Sequence, residues 1–221
     1  MTIITGRMIV SDPLHWCGII LAGGQSSRMG RNKAFLELEG KPVIEHVIDK
    51  MRACTDDLIL ITNDPEEYDH LGIQTACDVF PHQGPLAGIH AGMKNKEAEG
   101  YVVTACDTPY ISVSIYQLLK ASLVDNDIVI PTYAGRSHPL SGVYRRNLAQ
   151  EIECLMEEGK RSMKALYEEG HTVYMDDFNG IDTEEVDLHF FNMNHPEDYD
   201  YAKSIKKRGK EQRQLNVNMI R

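Results

Sequence analysis

Residues 18–34 read GIILAGGQSSRMGRNKA, and the interpretation of the whole chain depends on this stretch. A short apolar run ends at Gly23 and Gly24, and the cations Arg28 and Lys33 follow within ten residues. A strand that runs into a glycine turn places backbone N–H groups at the carboxyl end of a sheet, where open α/β folds bind ligands. Because glycine has no Cβ, an anion can approach that backbone closely. The stretch therefore predicts an α/β fold whose first turn binds a phosphate group.

Length and composition exclude several classes of protein. The chain has 221 residues, which suits one α/β domain, and no run approaches the roughly 20 apolar residues that span a bilayer. Its formal net charge of −10 argues against general nucleic-acid binding. Five cysteines without a C-x-x-C motif indicate reduced thiols in a cytoplasmic protein rather than a disulfide framework or a zinc site.

The domain boundaries follow from where the regular patterns begin and end. Residues 1–16 have no cleavage pattern of a signal peptide, so we interpret them as an extension or a cloning remnant. Residues 17–207 are predicted to form a single domain. Residues 208–221 are polar and are predicted to be a flexible tail.

Short apolar runs alternate with amphipathic stretches along the first half, which predicts a mostly parallel sheet with helices on both faces. Strands are expected at 17–22, 57–62, 73–77 and 101–106, and helices at 43–51, 86–96 and 112–123. The second half is expected to contain a hairpin formed by 127–133 and 139–145, helices at 147–158 and 161–169, strands at 171–175 and 190–194, and a final helix from Pro196.

Charged side chains near two predicted strand ends suggest a phosphate and metal site. Arg28 and Lys33 can neutralise a polyphosphate, although a solvated surface is the commoner place for such cations. Asp107 ends a buried strand, and its carboxylate suits Mg²⁺, which binds one or two protein carboxylates together with substrate phosphates. The alternative role, capping the next helix, fits Ser112 better than Asp107 because of its position.

The full motif L-A-G-G-x-S-x-R-M-G-x-x-K at 21–33 resembles the signature of the nucleotide-sugar-type nucleotidyltransferases. GPLAG at 84–88, CDTP at 106–109 and FFNMNHPED at 190–198 narrow this resemblance to the molybdenum cofactor guanylyltransferases. His195 stands where that family usually has threonine. The resemblance runs in order from about residue 17 to 205, and it implies a Rossmann-like nucleotidyltransferase fold.

That family attaches GMP from GTP to the phosphate of molybdopterin with Mg²⁺ and releases pyrophosphate. The resemblance implies catalytic roles for Arg28, Lys33 and Asp107, with Asp107 as the metal ligand. It implies that the nucleotide is bound by Leu21, Ala22, Gly23, Gly24, Lys33, Asn63, Asp78, Gly84, Gly88 and Asp107. It also implies that Asn192 and Asn194, which would share one side of a strand, bind the second substrate. The alternatives are ordinary turn roles for Asn63 and Asp78, loop shaping and helix packing for the two later glycines, and turn stabilisation for the asparagine pair.

The implied reaction needs charge stabilisation more than proton transfer. The second pKa of a phosphate monoester is about 6, so the attacking phosphate is already ionised at neutral pH. Positioning and electrostatic stabilisation should therefore dominate the rate.

Other functions remain open from the sequence. A cytidylyltransferase for the same pterin, or another sugar-type nucleotidyltransferase, would share the glycine motif. A non-catalytic nucleotide sensor would keep the turn without needing Asp107 or Lys33. A dehydrogenase is disfavoured because G-x-G-x-x-G is missing. The expected partners are GTP and molybdopterin, together with transient contacts to other proteins of molybdenum cofactor biosynthesis, but neither nucleic acid nor a membrane.

Overall fold

The computed structural model describes residues 14–23, 32–78, 80, 83–123 and 125–205. The strands in these ranges are β1 Trp16–Leu21, β2 Glu37–Leu38, β3 Lys41–Pro42, β4 Asp57–Ile61, β5 Gln74–Ala76, β6 Gly100–Ala105, β7 Ile128–Tyr133, β8 Arg136–Ser137, β9 Val143–Arg145 and β10 Thr172–Met175. The α-helices are α1 Val43–Arg52, α2 Pro85–Asn95, α3 Val113–Ala121, α4 Leu148–Glu157, α5 Met163–Glu169 and α6 Thr183–His189. A further helical segment covers 196–205.

The central sheet has the order β10-β7-β9-β6-β1-β4-β5, and β8 pairs with β7. β1 is parallel to both β4 and β6, and β4 is parallel to β5, whereas β9 runs antiparallel to β6 and β7. The predicted, mostly parallel sheet is confirmed. The expected hairpin is present as well, but its turn is tighter than AGRS implied. Only Ala134 and Gly135 form the turn, with φ of 49° and 73°, since Arg136 already pairs with Tyr133.

Alternate residues of β1 point to opposite faces of the sheet, as the period of a strand requires. Ile20 packs in one apolar cluster with side chains of α1 and α3, whereas Ile19 packs in a second cluster with side chains of α2 and α4. The predicted layering, with helices on both faces, is therefore confirmed. The apolar stripe predicted for α1 is entirely buried. None of the helices in the described ranges is long and apolar enough to cross a membrane.

The predicted strand at 190–194 is wrong. Phe190 is the C-cap of α6, a helix that we did not predict, and residues 191–194 form a loop. The alternation of Phe191 and Met193 resembles a strand, but the backbone N–H of Met193 donates to the carbonyl of Asp107 (3.0 Å) instead of to a strand partner. Met193 is buried because it packs in a small separate core, and not because it lies in the sheet.

Candidate active site

The carboxyl ends of three neighbouring strands bring the predicted site residues to one edge of the sheet. Leu21 of β1 is in register with Ile61 of β4 on one side and with Ala105 of β6 on the other. Two further hydrogen bonds continue this alignment past the strand ends, from Ala22 N–H to the Ile61 carbonyl (2.8 Å) and from Cys106 N–H to the Leu21 carbonyl (3.0 Å). The glycine turn, the segment after β4 and the turn that carries Asp107 therefore share this edge.

Asp107 lies in the turn that follows β6, and its side chain is only 19% exposed. Burial raises the pKa of its carboxyl above the ordinary value, and the nearby Lys33 ammonium offsets part of that effect. The Oδ1 atom is buried and has no hydrogen-bond donor among the described residues. A buried carboxylate oxygen without a partner is costly, so this atom fits a role as a ligand for a cation.

A hard divalent cation suits this oxygen best, because Mg²⁺ takes oxygen ligands and usually only one or two protein carboxylates. The described residues contain no cluster of three or more His, Cys, Asp and Glu side chains that could enclose a metal. Asp107 would therefore hold Mg²⁺ together with water and substrate phosphates, and it would not be part of a closed protein cage.

Lys33 opens a 3-10 helix, Lys33–Phe35, and the side chain of Asn32 caps this turn by accepting the N–H of Ala34 (3.1 Å). The ammonium of Lys33 donates to Oδ1 of Asn194 (3.0 Å) and lies 3.8 Å from Oδ2 of Asp107. Its side chain is only 17% exposed. The structure thus brings together a predicted phosphate-binding cation, a predicted metal ligand and a predicted residue of the second-substrate site.

The two predicted asparagines of the 191–194 loop differ in what they contact. Asn194 meets Lys33, whereas Asn192 is exposed on the other side of the fully buried Met193. Since these residues do not form a strand, the period of a strand no longer gives a reason for the pair to share one side. Of the two, Asn194 is the one with a hydrogen bond to another predicted site residue in the part of the chain that the structure describes.

Four further predicted nucleotide-binding residues follow β4 and β5 or belong to the start of α2. Asn63 is exposed after β4, and Asp78 follows β5, where its carboxylate accepts the N–H of Phe80 (3.2 Å). Gly84 caps α2 with φ of +84°, a conformation that favours glycine. Gly88 is buried, and a Cβ there would lie 2.9 Å from Leu21, so it allows α2 to pack closely on β1.

Gly24, Arg28 and most of the glycine motif lie outside the described residues, as do residues 1–13 and the predicted tail at 208–221. Gly23 is described and exposed. A Cβ at Gly23 would have no described atom within 4 Å, so none of the described residues fills the space next to it.

Sequence reasoning missed Asp198, which accepts the backbone N–H groups of Asn194 (2.8 Å) and His195 (2.7 Å). The signal was present in the sequence. Pro196 marks the first position of a helix, and an acidic residue two positions later is well placed to accept the free N–H groups at a helix start.

Comparison with known proteins shows the family to which this chain belongs. The model of a family described as the MobA-like NTP transferase domain matches residues 18–173. The chain belongs to this family. That match covers the glycine motif, Lys33 and Asp107, whereas the loop with Asn194 lies beyond it.

Relatives of the MobA-like family extend the similarity over most of the chain. A molybdenum cofactor guanylyltransferase of Desulfosudis oleivorans is 33% identical over 197 residues, which are 87% of this chain and 96% of the relative. A probable molybdenum cofactor guanylyltransferase of Bacillus cereus (strain Q1) is 34% identical over 83% of this chain and 94% of its own length. The crystal structure of molybdopterin-guanine dinucleotide biosynthesis protein A from Archaeoglobus fulgidus superposes with a TM-score of 0.73 at 25% identity, covering 87% of this chain and 99% of that one.

Proposed function

We propose that this protein is a molybdenum cofactor guanylyltransferase, which transfers GMP from GTP to the phosphate of molybdopterin and releases pyrophosphate. It is a nucleotidyltransferase by family membership, and its named relatives carry the guanylyl activity. The observation that carries the proposal is the contact among Lys33, Asp107 and Asn194 at the carboxyl edge of the sheet. It supports the proposal because a cation, a carboxylate and an amide in contact suit a point at which a triphosphate meets a second substrate.

The nucleotide would enter over the glycine turn, between the residues that follow β1 and the start of α2. None of the described residues blocks a close approach to the Gly23 backbone, and Gly84 allows the sharp entry into α2. Asn63 and Asp78 follow the two strands on the same side of β1, so we assign them to the base and ribose side of GTP. Gly88 then acts through helix packing and does not touch the nucleotide.

The charges of the site suit attack of a phosphate oxygen on the α-phosphorus. Lys33 would move from Asn194 to the triphosphate, where its ammonium stabilises the charge that accumulates on the leaving pyrophosphate. Asp107 would hold Mg²⁺, which supplies electrostatic stabilisation of the phosphate oxygens when it is bound. The release of Lys33 would leave the amide of Asn194 available to the second substrate. Burial keeps the thiol of Cys106 protonated, with a pKa of about 12, so this neighbour does not serve as a nucleophile.

Other expectations fit the same function. The five cysteines are all free thiols, which is in keeping with the cytoplasmic location that we propose. Transient contacts with other proteins of molybdenum cofactor biosynthesis remain a prediction.

Pyrophosphate release tests the proposed function. The full chain is incubated with Mg²⁺, molybdopterin and one of GTP, ATP, CTP or UTP at equal concentration. We expect pyrophosphate and a pterin dinucleotide with GTP. Equal or faster release with CTP would favour a cytidylyltransferase, and GTP binding without turnover would favour a nucleotide sensor.

A further inference from the structure

The helical segment 196–205 begins immediately after the loop that carries Asn194, and one carboxylate joins the two. Oδ2 of Asp198 accepts the backbone N–H of Asn194 at 2.8 Å and that of His195 at 2.7 Å. In return, the N–H of Asp198 donates to the carbonyl of His195 (3.1 Å). Asp198 is thus the third residue of the helix, and it provides the acidic half of a capping box.

The other half of the capping box is missing from this chain. The residue at the N-cap position is His195, which lacks the hydroxyl or carboxylate oxygen with which Ser, Thr or Asp accepts an N–H of the first helical turn. Asp198 therefore holds the backbone entering the helix without a capping oxygen from residue 195. Its second bond reaches one residue further back, to Asn194, which is a site residue.

The backbone is fixed on both sides of Asn194. Before it, Met193 is fully buried and donates its N–H to the carbonyl of Asp107 (3.0 Å). After it, the helical segment docks on the body of the protein, where the hydroxyl of Tyr110 donates to the carbonyl of the buried Ala202 (2.8 Å). Between these anchors, the bond to Asp198 sets the backbone of Asn194, so its side-chain oxygen reaches Lys33.

We propose that Asp198 is a positioning residue for nucleotidyl transfer, which acts through Asn194. Its carboxylate fixes the Asn194 backbone, and the Asn194 amide thereby holds the Lys33 ammonium beside Asp107 before the substrates bind. The inference rests on the proposed function, because the aligned groups serve guanylyl transfer. It assigns to Asp198 a role distinct from that of an ordinary helix cap.

Five variants separate positioning from capping: Asp198→Ala, Asp198→Asn, Asn194→Ala, Asp198→Ala with His195→Thr, and Asp198→Ala with Asn194→Ala. Asp198→Ala should lower the Tm and slow transfer by about ten- to a hundredfold through misplacement of the site. The loss should appear in the KM for molybdopterin and in kcat, while the Kd for GTP changes less than about twofold, since GTP binds mainly through the backbone of other loops. Asp198→Asn keeps an acceptor oxygen and should retain most of the activity.

The decisive variant adds His195→Thr to Asp198→Ala. A threonine at the N-cap accepts the N–H of residue 198 and restores the helix start, but it offers no acceptor to the N–H of Asn194. We expect the Tm to recover while transfer stays slow. We also expect Asp198→Ala to cause no further loss in an Asn194→Ala background, because both residues act through one contact. Recovery of transfer together with the Tm, or additive losses, would overturn the proposal and leave Asp198 as a helix cap.

Hydrogen exchange of the backbone N–H of Asn194, measured without substrates, separates this inference from the proposed function. The amide should be protected in the wild type and unprotected in both Asp198→Ala and its His195→Thr double variant. Protection that persists in Asp198→Ala would contradict the positioning role. A different outcome is that the exchange follows the expected pattern while the wild type transfers nothing from GTP. That outcome would contradict the proposed function, and with it the role of Asp198 in transfer.

Discussion

The ammonium of Lys33 donates to the side-chain oxygen of Asn194 at 3.0 Å, although the two residues are 161 positions apart in the chain. The same ammonium lies 3.8 Å from the carboxylate of Asp107. This cation therefore links the part of the site that we assign to the triphosphate with the part that we assign to the second substrate. The predictions below follow from that arrangement.

Replacing Lys33 with alanine should abolish most of the transfer while the protein stays folded. Loss of one electrostatic contact to developing charge typically costs about 3 kcal/mol, or roughly a hundredfold or more in rate. Steady-state kcat/KM for GTP measures the effect, and Lys41→Ala is the matched control because Lys41 also pairs with a carboxylate, that of Asp49, but is not one of the predicted site residues. An unchanged kcat/KM in Lys33→Ala would exclude the role assigned to this ammonium.

Asp107→Asn should fold normally, lose almost all transfer and need far more Mg²⁺, since a neutral amide is a poor ligand for a hard cation. Burial raises the pKa of Asp107, so its ionised form is less favourable in the folded protein than in the unfolded chain. The variant should therefore melt at the same temperature as the metal-free wild type or higher. A thermal melt and an Mg²⁺ titration of activity test both parts, with Asp49→Asn as the control. Wild-type metal dependence would make Asp78 the next candidate ligand.

Two glycine substitutions should affect different properties, one the affinity for GTP and the other the stability of the fold. Gly23→Ala should leave the Tm unchanged, because a Cβ there meets no described atom within 4 Å. The same Cβ should weaken GTP binding, because it would stand between the backbone and the phosphates. Gly92→Ala should instead destabilise the fold, because its Cβ would lie 2.6 Å from Ile19. Such overpacking costs about 1–3 kcal/mol, which exceeds the gain in helix propensity. Chemical denaturation and titration with a fluorescent GTP analogue separate the two effects. Wild-type GTP affinity in Gly23→Ala would show that the ligand does not approach this backbone.

How much of this site the sequence could predict depends on how local each signal is. The strand ends at Leu21, Ile61 and Ala105 were predicted to within one residue, because short buried runs bounded by polar turns are local patterns. The segment at 190–194 was misread because alternating apolar residues fit either a strand or a loop anchored by buried side chains. The choice between these depends on whether a sheet edge is available nearby. The contact between Lys33 and Asn194 depends on the tertiary fold, and no local pattern contains it.

Helix α6 was missed for a different reason. Its sequence, TEEVDLH, has only two aliphatic residues, so the apolar stripe that reveals other helices is weak. A capping signal was available in Asp182, whose side chain accepts the N–H of Glu184 (2.9 Å). Its last residue, His189, is completely buried, and this burial could not be inferred from the surrounding charges.

His189 should make the protein less stable in acid. Burial lowers the pKa of its imidazole from 6.5 to about 3, and Nδ1 accepts the N–H of Ser112 (2.9 Å), which requires that nitrogen to be unprotonated. Between these two pKa values the unfolded chain binds a proton that the folded protein does not. The contribution of His189 to the free energy of unfolding is therefore full above pH 6.5. Below that pH it falls by about 1.4 kcal/mol per pH unit until the folded-state pKa is reached.

His189→Asn provides the comparison for this effect, because an asparagine side-chain oxygen can accept the same N–H without titrating. Urea unfolding at several pH values from 7 down to about 4 should give a shallower pH dependence for the variant than for the wild type. Parallel curves for the two proteins would show that His189 is not the group that titrates.

The position of the transferred phosphorus tests the central claim most directly. The wild-type protein is given Mg²⁺, molybdopterin and GTP radiolabelled at either the α- or the γ-phosphorus, and the pterin product is separated from pyrophosphate. Attack on the α-phosphorus predicts that the α-label appears in the pterin product and the γ-label in pyrophosphate. A γ-label in the pterin product, or release of inorganic phosphate with GDP, would contradict guanylyl transfer at this site.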